Sequence, residues 1–409
     1  MISAQFFTTV NFKIFLDTLK LFTFKLPYLR FGQEVDKLEI ELKQYLNAEH
    51  SQIYSFYNWR SALYHWLINL PNLTDLTNWT NEVLVSGYTC VSVINTIIQA
   101  WYKPVYVDID ESLNMQIEDA EKKVSNNTKA IIVQHTFWNP ANMQAWTEFA
   151  EKHNLVLIED CAHALWAEIG WKKVGTFGDI AIFSTWRDKV ISSVTWWFLL
   201  INNPDLKVDK PKLIPVSRKL ALQNLNYNII AYLAWKMYDI KIWKVLMYIA
   251  NKFKLIPPIL TPNEKACRFD NFFYQLPNSL AYLARRQLRQ VDKINVHRVQ
   301  IANQYKEKLA WKYEFPKEES FAKNIYFGFP IFFDNEENLK KKVIEAKKHW
   351  VYLGTYWTGQ NIVPVGSNLE NCLYQNWNCP KAEDLAKRVL ILANHFQFDK
   401  VDKIVDLLK

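Results

Sequence analysis

Leu155-Val156-Leu157-Ile158-Glu159-Asp160-Cys161-Ala162-His163-Ala164 is the stretch that decides how this chain is read. Leu155 to Glu159 is a short apolar run of strand length, which predicts a buried strand. Asp160 then falls at the carboxyl end of that strand, where open α/β sheets bind their ligands. Lys189 lies 29 residues further on and closes Phe183-Ser184-Thr185-Trp186-Arg187-Asp188-Lys189. A lysine amine can hold an aldehyde as a Schiff base, and a carboxylate can keep a pyridine nitrogen protonated so that the ring draws electrons. Pyridoxal 5'-phosphate needs both groups, and the pairing of Asp160 with Lys189 points to an enzyme that uses it.

Outward from this pair, short β-rich runs alternate with segments of helical spacing, which predicts a doubly wound α/β layer. The expected strands are Ile53–Phe56, Val83–Ser86, Val105–Asp108, Ala130–Gln134, Leu155–Glu159, Ala181–Phe183 and Phe198–Ile201. Helical spacing runs through Ser61–Leu70, Val91–Ala100 and Met143–His153, and Asn278–Leu309 reads as one long helix. The charged, Pro-bearing stretch Asp205–Leu213 reads as the exit from a large domain, and Ile325–Lys409 as a small α/β domain. The expected division is therefore 1–205, a helical insert or connector over 206–275, and 276–409.

The chain resembles the DegT/StrS family of pyridoxal phosphate-dependent sugar aminotransferases from about Phe31 to the C-terminus, most weakly between Asp205 and Tyr274. The residues that carry the likeness are Glu159-Asp160, His163, Gly175-Thr176-Phe177-Gly178-Asp179, and Ser184 with Lys189 five residues later. Val105-Tyr106-Val107-Asp108-Ile109-Asp110, Thr128-Lys129-Ala130-Ile131-Ile132 and Cys379-Pro380-Lys381-Ala382-Glu383 are further echoes. The resemblance implies a fold-type-I transferase, with a mostly parallel mixed sheet in an α/β/α layer and a smaller C-terminal α/β domain. It implies Lys189 as the Schiff-base lysine, Asp160 against the pyridine nitrogen, His163 on the ring hydroxyl and Ser184 on the phosphate. Each has a plainer reading: a surface lysine, a helix cap, a satisfied core histidine and a strand-end serine.

The family cradles the cofactor phosphate with Ser-Gly-Thr-x-Ala-Leu at a helix start, where backbone N–H groups and the helix dipole favour an anion. This chain reads Asn58-Trp59-Arg60-Ser61-Ala62-Leu63 there. Trp59 replaces the glycine, and Arg60 either pairs with the phosphate or points to solvent. The family's ring-stacking aromatic falls at Tyr88-Thr89-Cys90, with Cys90 in the stacking position unless Tyr88 takes the role. Asn278, in Leu276-Pro277-Asn278-Ser279, resembles an asparagine that reaches a neighbouring subunit's phosphate, so a homodimer is implied.

Five cysteines without paired spacing argue for a reducing, cytoplasmic setting, and no zinc pattern is present. The N-terminus shows no signal-peptide pattern. A net charge of +8 suits anionic substrates such as nucleotide sugars, although solvated surface lysines explain it as well. No nucleic-acid partner is expected. Tyr227–Leu255 intersperses apolar residues with lysines; it is weighed as an amphipathic insert on a membrane surface and expected to pack on its parent domain or a partner subunit instead.

The tryptophans do not fit an ordinary composition. There are 17 of them and 9 glycines, where a glycine share of ~7% predicts about 29. They stand where turns, tight packing or the family motifs call for glycine: Trp59, Trp101, Trp138, Trp166, Trp171, Trp186, Trp196, Trp197 and Trp350. Glycine codons reassigned from UGA and read with the wrong table would produce this pattern; an authentically tryptophan-rich protein is the alternative.

Taken together, the residues and the resemblance lead to the expectation of an aminotransferase that takes an amino group from glutamate and delivers it to a keto group of a nucleotide-linked sugar. A non-catalytic cofactor-binding sensor or scaffold is one alternative. A sugar dehydratase of the same family is another, against which Lys189 argues, because that branch carries histidine there.

Overall fold

The computed structural model of the chain describes residues 2–3, 11–23, 26–57, 59–70, 79–206, 212–238, 240–257, 273–395 and 398–409. Seven strands form one sheet: β1 (Gln52–Phe56), β2 (Glu82–Ser86), β3 (Lys103–Val107), β4 (Thr128–Gln134), β5 (Val156–Asp160), β6 (Ile180–Ser184) and β7 (Trp197–Ile201). Their order across the sheet is β1-β7-β6-β5-β4-β2-β3. Strand β7 is antiparallel to both of its neighbours. The remaining pairs, β6 with β5, β5 with β4, β4 with β2 and β2 with β3, are parallel. Every strand expected from the sequence is a strand of this sheet.

The central strands read as nearly continuous apolar runs because both faces are covered. Successive side chains then feed two different cores. Leu84, Ile131, Val133 and Leu157 join a cluster built with Trp146 and Phe149 on one face. Val83, Val85, Ala130, Ile132 and Ile158 point to the other, with Leu63, Trp66, Ile94 and Ile97. Among the described residues, the helices of nine residues or more are α1 (Phe12–Leu21), α2 (Glu34–Leu46), α3 (Trp59–Leu67), α4 (Val91–Gln99), α5 (Met143–Lys152), α6 (Arg218–Lys236), α7 (Trp243–Lys252), α8 (Asn278–Leu288), α9 (Val291–Leu309), α10 (Glu336–Lys348), α11 (Pro380–Arg388) and α12 (Asp399–Leu408). The C-terminal part also holds the antiparallel pair β8 (Phe329–Phe332) and β9 (Val389–Leu392), and there α12 packs on α9 and α10.

The long helix expected over Asn278–Leu309 is in fact two, α8 and α9, broken at Arg289 and Gln290. Gln290 ends the first: its N–H bonds the Gln287 carbonyl at 2.9 Å and its side chain the Arg286 carbonyl at 3.1 Å. Those are carbonyls that a continuing helix would have bonded to later N–H groups. Asp292 opens the second helix in its first turn. Of the expected exit segment Asp205–Leu213, residues 207–211 lie outside the described residues.

Backbone dihedrals bear on the tryptophans. Among the described residues, fifteen non-glycine residues have positive φ, and six of these are Trp79, Trp101, Trp138, Trp166, Trp350 and Trp377. A bulky side chain there is a true outlier. Trp101 sits one residue past the cap of α4, with its N–H on Ile98 O at 3.1 Å and the Tyr102 N–H on Ile97 O at 3.1 Å. That is the Schellman closure, in which the left-handed residue is usually glycine. Trp350 occupies the same place after α10, its N–H on Lys347 O at 3.2 Å. Trp171, Trp186, Trp196 and Trp197, also expected at glycine-like positions, are not among the positive-φ residues.

Candidate active site

The carboxyl edge of the sheet assembles the site. Strands β5 and β6 are parallel neighbours, with Ile182 opposite Asp160, so Asp160 and Ser184 end adjacent strands on the same edge. Asp160 is buried and accepts one hydrogen bond, from the Ala162 N–H at 3.0 Å. Burial pushes its carboxyl pKa up, and the Ala162 N–H, Lys189 and His135 partly offset the rise. Among the described residues no basic side chain makes an ion pair with Asp160 at 4.0 Å or less. A buried carboxylate in that condition lacks a hydrogen-bonded cation, and a protonated pyridine nitrogen would supply one.

The loop from Thr185 to Trp196 carries Lys189 and is buried almost throughout. It is pinned by Ser193 N–H on Thr185 O at 3.1 Å, Thr185 N–H on Trp196 O at 2.9 Å, and a two-way pairing of Gln287 with the backbone of Ser192. Lys189 is 9% exposed, with Nζ 4.9 Å from the centroid of the Phe327 ring. Its charge lowers the pKa of the Asp160 carboxyl, the His163 imidazole and the Cys90 thiol, each of which burial shifts more strongly.

His163 lies between two parallel rings, Phe137 at 5.6 Å and Phe327 at 5.3 Å, with Trp357 edge-on at 4.7 Å. Burial first, and Lys189 second, hold its pKa well below the ordinary histidine value, so the ring is neutral. Its Nδ1 accepts the Phe137 N–H at 3.4 Å, leaving the ring proton on Nε2. Ser184 is fully buried; its oxygen accepts the Trp186 N–H at 3.2 Å, and among the described residues no acceptor takes its own hydroxyl proton. A neutral N–H donor, a hydroxyl donor, a carboxylate with no paired cation and a lysine amine are a set of groups that fits the ring hydroxyl, phosphate, pyridine nitrogen and aldehyde of pyridoxal phosphate.

Other expected contributors are placed less simply. Arg60 is in the first turn of α3, close enough to Cys90 for its charge to be felt there. Trp59 opens the same helix, but its side chain, like all of Asn58, lies outside the described residues. Cys90 caps α4 and contacts Ser92 Oγ at 2.9 Å. Tyr88 is fully buried, with its hydroxyl on the Trp357 carbonyl at 2.6 Å and its ring edge-on to Phe137 at 6.0 Å and Trp357 at 5.5 Å. Asn278 is fully buried within its own chain, with Oδ1 accepting the Glu34 N–H at 2.9 Å and Nδ2 donating to Tyr28 O at 3.0 Å, which ties α8 to the N-terminal segment.

Glu159 and His135, which the sequence reading did not assign, support the site from behind. Glu159 accepts the N–H groups of Phe177 and Gly178 at 2.7 Å and of Gly175 at 2.8 Å, and so holds the Gly175–Gly178 turn against β5. His135 accepts the Ala141 N–H on Nδ1 at 3.1 Å and meets the remaining side of Glu159 with Nε2 at 3.2 Å. Cys161 lies with these two in one buried group, but their lone pairs are already taken and burial raises the Cys161 thiol well above its ordinary pKa. The group therefore reads as a buttress. His135 follows directly on a strand end at the ligand-binding edge, a position that could have marked it. Phe327 and Trp357 come from the C-terminal third and carry no local signal.

A family model described as the DegT/DnrJ/EryC1/StrS aminotransferase family matches residues 25–210 and 269–409. GDP-perosamine synthase of Vibrio cholerae is 32% identical over 202 residues, 49% of this chain and 53% of that one. UDP-N-acetyl-3-dehydro-alpha-D-glucosamine 3-aminotransferase of Acidithiobacillus ferrooxidans is 38% identical over 110 residues, 27% of this chain and 30% of that one. The chain thus spans about half the length, or less, of the curated relatives it matches. Among solved structures, the Helicobacter pylori aminotransferase involved in the biosynthesis of pseudoaminic acid superposes with a TM-score of 0.70 at 19% identity, over 99% of this chain and 98% of that one.

Proposed function

Because the chain belongs to the DegT/DnrJ/EryC1/StrS aminotransferase family, we propose that it is a pyridoxal phosphate-dependent transaminase that moves an amino group from glutamate to a keto group of a nucleotide-linked sugar. The observation that carries the reading is the placement of Asp160 and Lys189: a buried carboxylate at one strand end, and a lysine on the loop after the next strand whose charge it feels. The relatives act on nucleotide sugars by their names, which supports the substrate class.

The residues divide the work by their chemistry. Lys189 would supply the amine that holds the cofactor aldehyde, and the same amine would serve as the acid–base group for the carbon that gains or loses the amino group. Asp160 keeps the pyridine nitrogen protonated. When bound, the cofactor supplies the electron sink that makes that carbon acidic. Neutral His163 donates from Nε2 without adding a second positive charge beside Lys189, and Ser184 donates its hydroxyl to the phosphate. The Phe137, Phe327 and Trp357 rings exclude water from His163 and the Lys189 amine.

The test is direct. Purified protein incubated with pyridoxal phosphate should show a visible absorbance band that bleaches on adding glutamate, with release of 2-oxoglutarate, and returns on adding a keto nucleotide sugar. Borohydride should trap the cofactor on the peptide containing Lys189. Cofactor binding with no bleaching by any amino donor would favour a non-catalytic sensor or scaffold instead.

A further inference from the structure

The internal segment that the family model leaves unmatched, residues 211–268, holds ten Lys and Arg against two acidic residues, a net +8 that equals the net charge of the whole chain. Within it, Tyr227, Ala231, Ala234, Tyr238, Ala250 and Ile256 pack together with Val194 of the Lys189 loop, which anchors α6 and α7 to the protein. The opposite side of α7 is exposed and apolar. Val245, Tyr248 and Ile249 are 56%, 63% and 41% exposed, with Ile242 at 45% just before the helix and Phe253 at 67% just after it. Positions 242, 245, 249 and 252 follow helical spacing, so these residues share a face with Lys252. Lys241, Lys244 and Lys254 are exposed nearby, the Lys241 and Lys244 amines resting over the Trp350 ring at 4.5 and 5.0 Å at the margin of the face.

We propose that this insert docks the enzyme on a bilayer surface rich in anionic lipid headgroups, with the α7 face in the interface and the lysines on the phosphates. An apolar face with aromatic residues, ringed by lysine, is the composition of helices that lie in the plane of the headgroups. Among the described residues no helix is long and apolar enough to cross a membrane, which limits the contact to the surface. Charge selects the occupant: an isologous contact between two copies of this face would set like charges against each other, whereas an anionic surface neutralises them. The experiment is sedimentation of the full chain with vesicles of pure phosphatidylcholine and of phosphatidylcholine containing a third phosphatidylglycerol. Binding is expected on the anionic vesicles alone, weakened at least tenfold by raised salt and by Lys241→Glu/Lys244→Glu/Lys252→Glu, with transamination of soluble substrates unchanged. The proposal falls if anionic vesicles bind nothing or bind the triple variant equally well. It also falls if Val245→Asp/Ile249→Asp converts a vesicle-free oligomer to monomer in ultracentrifugation, which would make the face a subunit contact.

A separate observation concerns what the ribosome inserts. We infer that glycine is the native residue at Trp79, Trp101, Trp138, Trp166, Trp350 and Trp377, each encoded by UGA read as glycine. All six have the left-handed backbone that glycine adopts freely and other residues avoid. Buried indole N–H groups without any acceptor add to the case: Trp166 and, elsewhere, Trp66, Trp196 and Trp243 have one each, where native proteins pair nearly all such groups. Mass spectrometry of the protein isolated from its own source decides it. Peptides covering Trp101 and Trp166 should carry glycine masses; indole-containing peptides at these positions would overturn the inference.

Discussion

The roles proposed for Asp160, tuning the cofactor, and for Lys189, performing the transfer, make separable predictions. Lys189→Ala should reduce transamination to background, a loss of at least ~10²–10⁴-fold for removal of a positioned acid–base group, and should abolish the borohydride-trapped adduct. An adduct mapping to another lysine would refute the assignment. Asp160→Asn should retain bound cofactor yet lower turnover by about 10²-fold or more, since a neutral partner no longer favours the protonated ring; absorbance titration and steady-state rates read the two effects apart. At Trp101 and Trp377 the backbone alone decides the outcome, because both are exposed, at 48% and 79%, and have little packing to lose. Trp101→Gly and Trp377→Gly should each stabilise the literal chain by about 1 kcal/mol, the scale of the left-handed penalty, measured as a raised denaturation midpoint.

At the scale of elements, the Gly175–Gly178 turn and the Lys189 loop are held by contacts distant in sequence. Gly175 has a φ of +88° and an added Cβ would stand 2.1 Å from the Phe183 ring, so this position admits glycine alone. Gly175→Ala should cost about 1–3 kcal/mol by overpacking and disturb the Glu159 carboxylate that accepts its N–H. Gln287 on α8 bonds both backbone groups of Ser192, three residues from Lys189. Gln287→Leu should cost about 1–3 kcal/mol through the two unsatisfied groups and slow turnover with cofactor still bound, as checked by denaturation alongside kinetics. Wild-type turnover in the variant would show that the loop is held without it.

For the molecule as a whole, His163 sets a pH dependence. Its folded pKa is depressed well below 6.5 by burial and by Lys189. Above pH 6.5 it is neutral in both states and costs nothing; as pH falls below 6.5 the unfolded chain takes up the proton and the folded one does not. Stability should therefore decline as pH falls below 6.5, and the decline should flatten in His163→Gln. Asp160, with a raised folded pKa, acts in the opposite direction, but only toward the acid range of carboxyls. The family resemblance also predicts a homodimer, which analytical ultracentrifugation would test.

Local patterns carried all seven strands of the sheet and the spacing of Asp160, His163, Ser184 and Lys189; for the five parallel strands the reason is that a strand buried on both faces must be a short, nearly continuous apolar run and must deliver its next residue to the ligand edge. The shortage of glycine among 17 tryptophans was likewise open to counting. Tertiary structure alone decided the rest. The break at Gln290 depends on its own side chain competing for a carbonyl, and Asn278 on which backbone it met 244 residues away in Glu34. The aromatic setting of His163 comes from Phe137, Phe327 and Trp357, residues far apart in the chain that no period or motif links. Such contacts are fixed by packing between elements, and a one-dimensional pattern records only the face that each element buries.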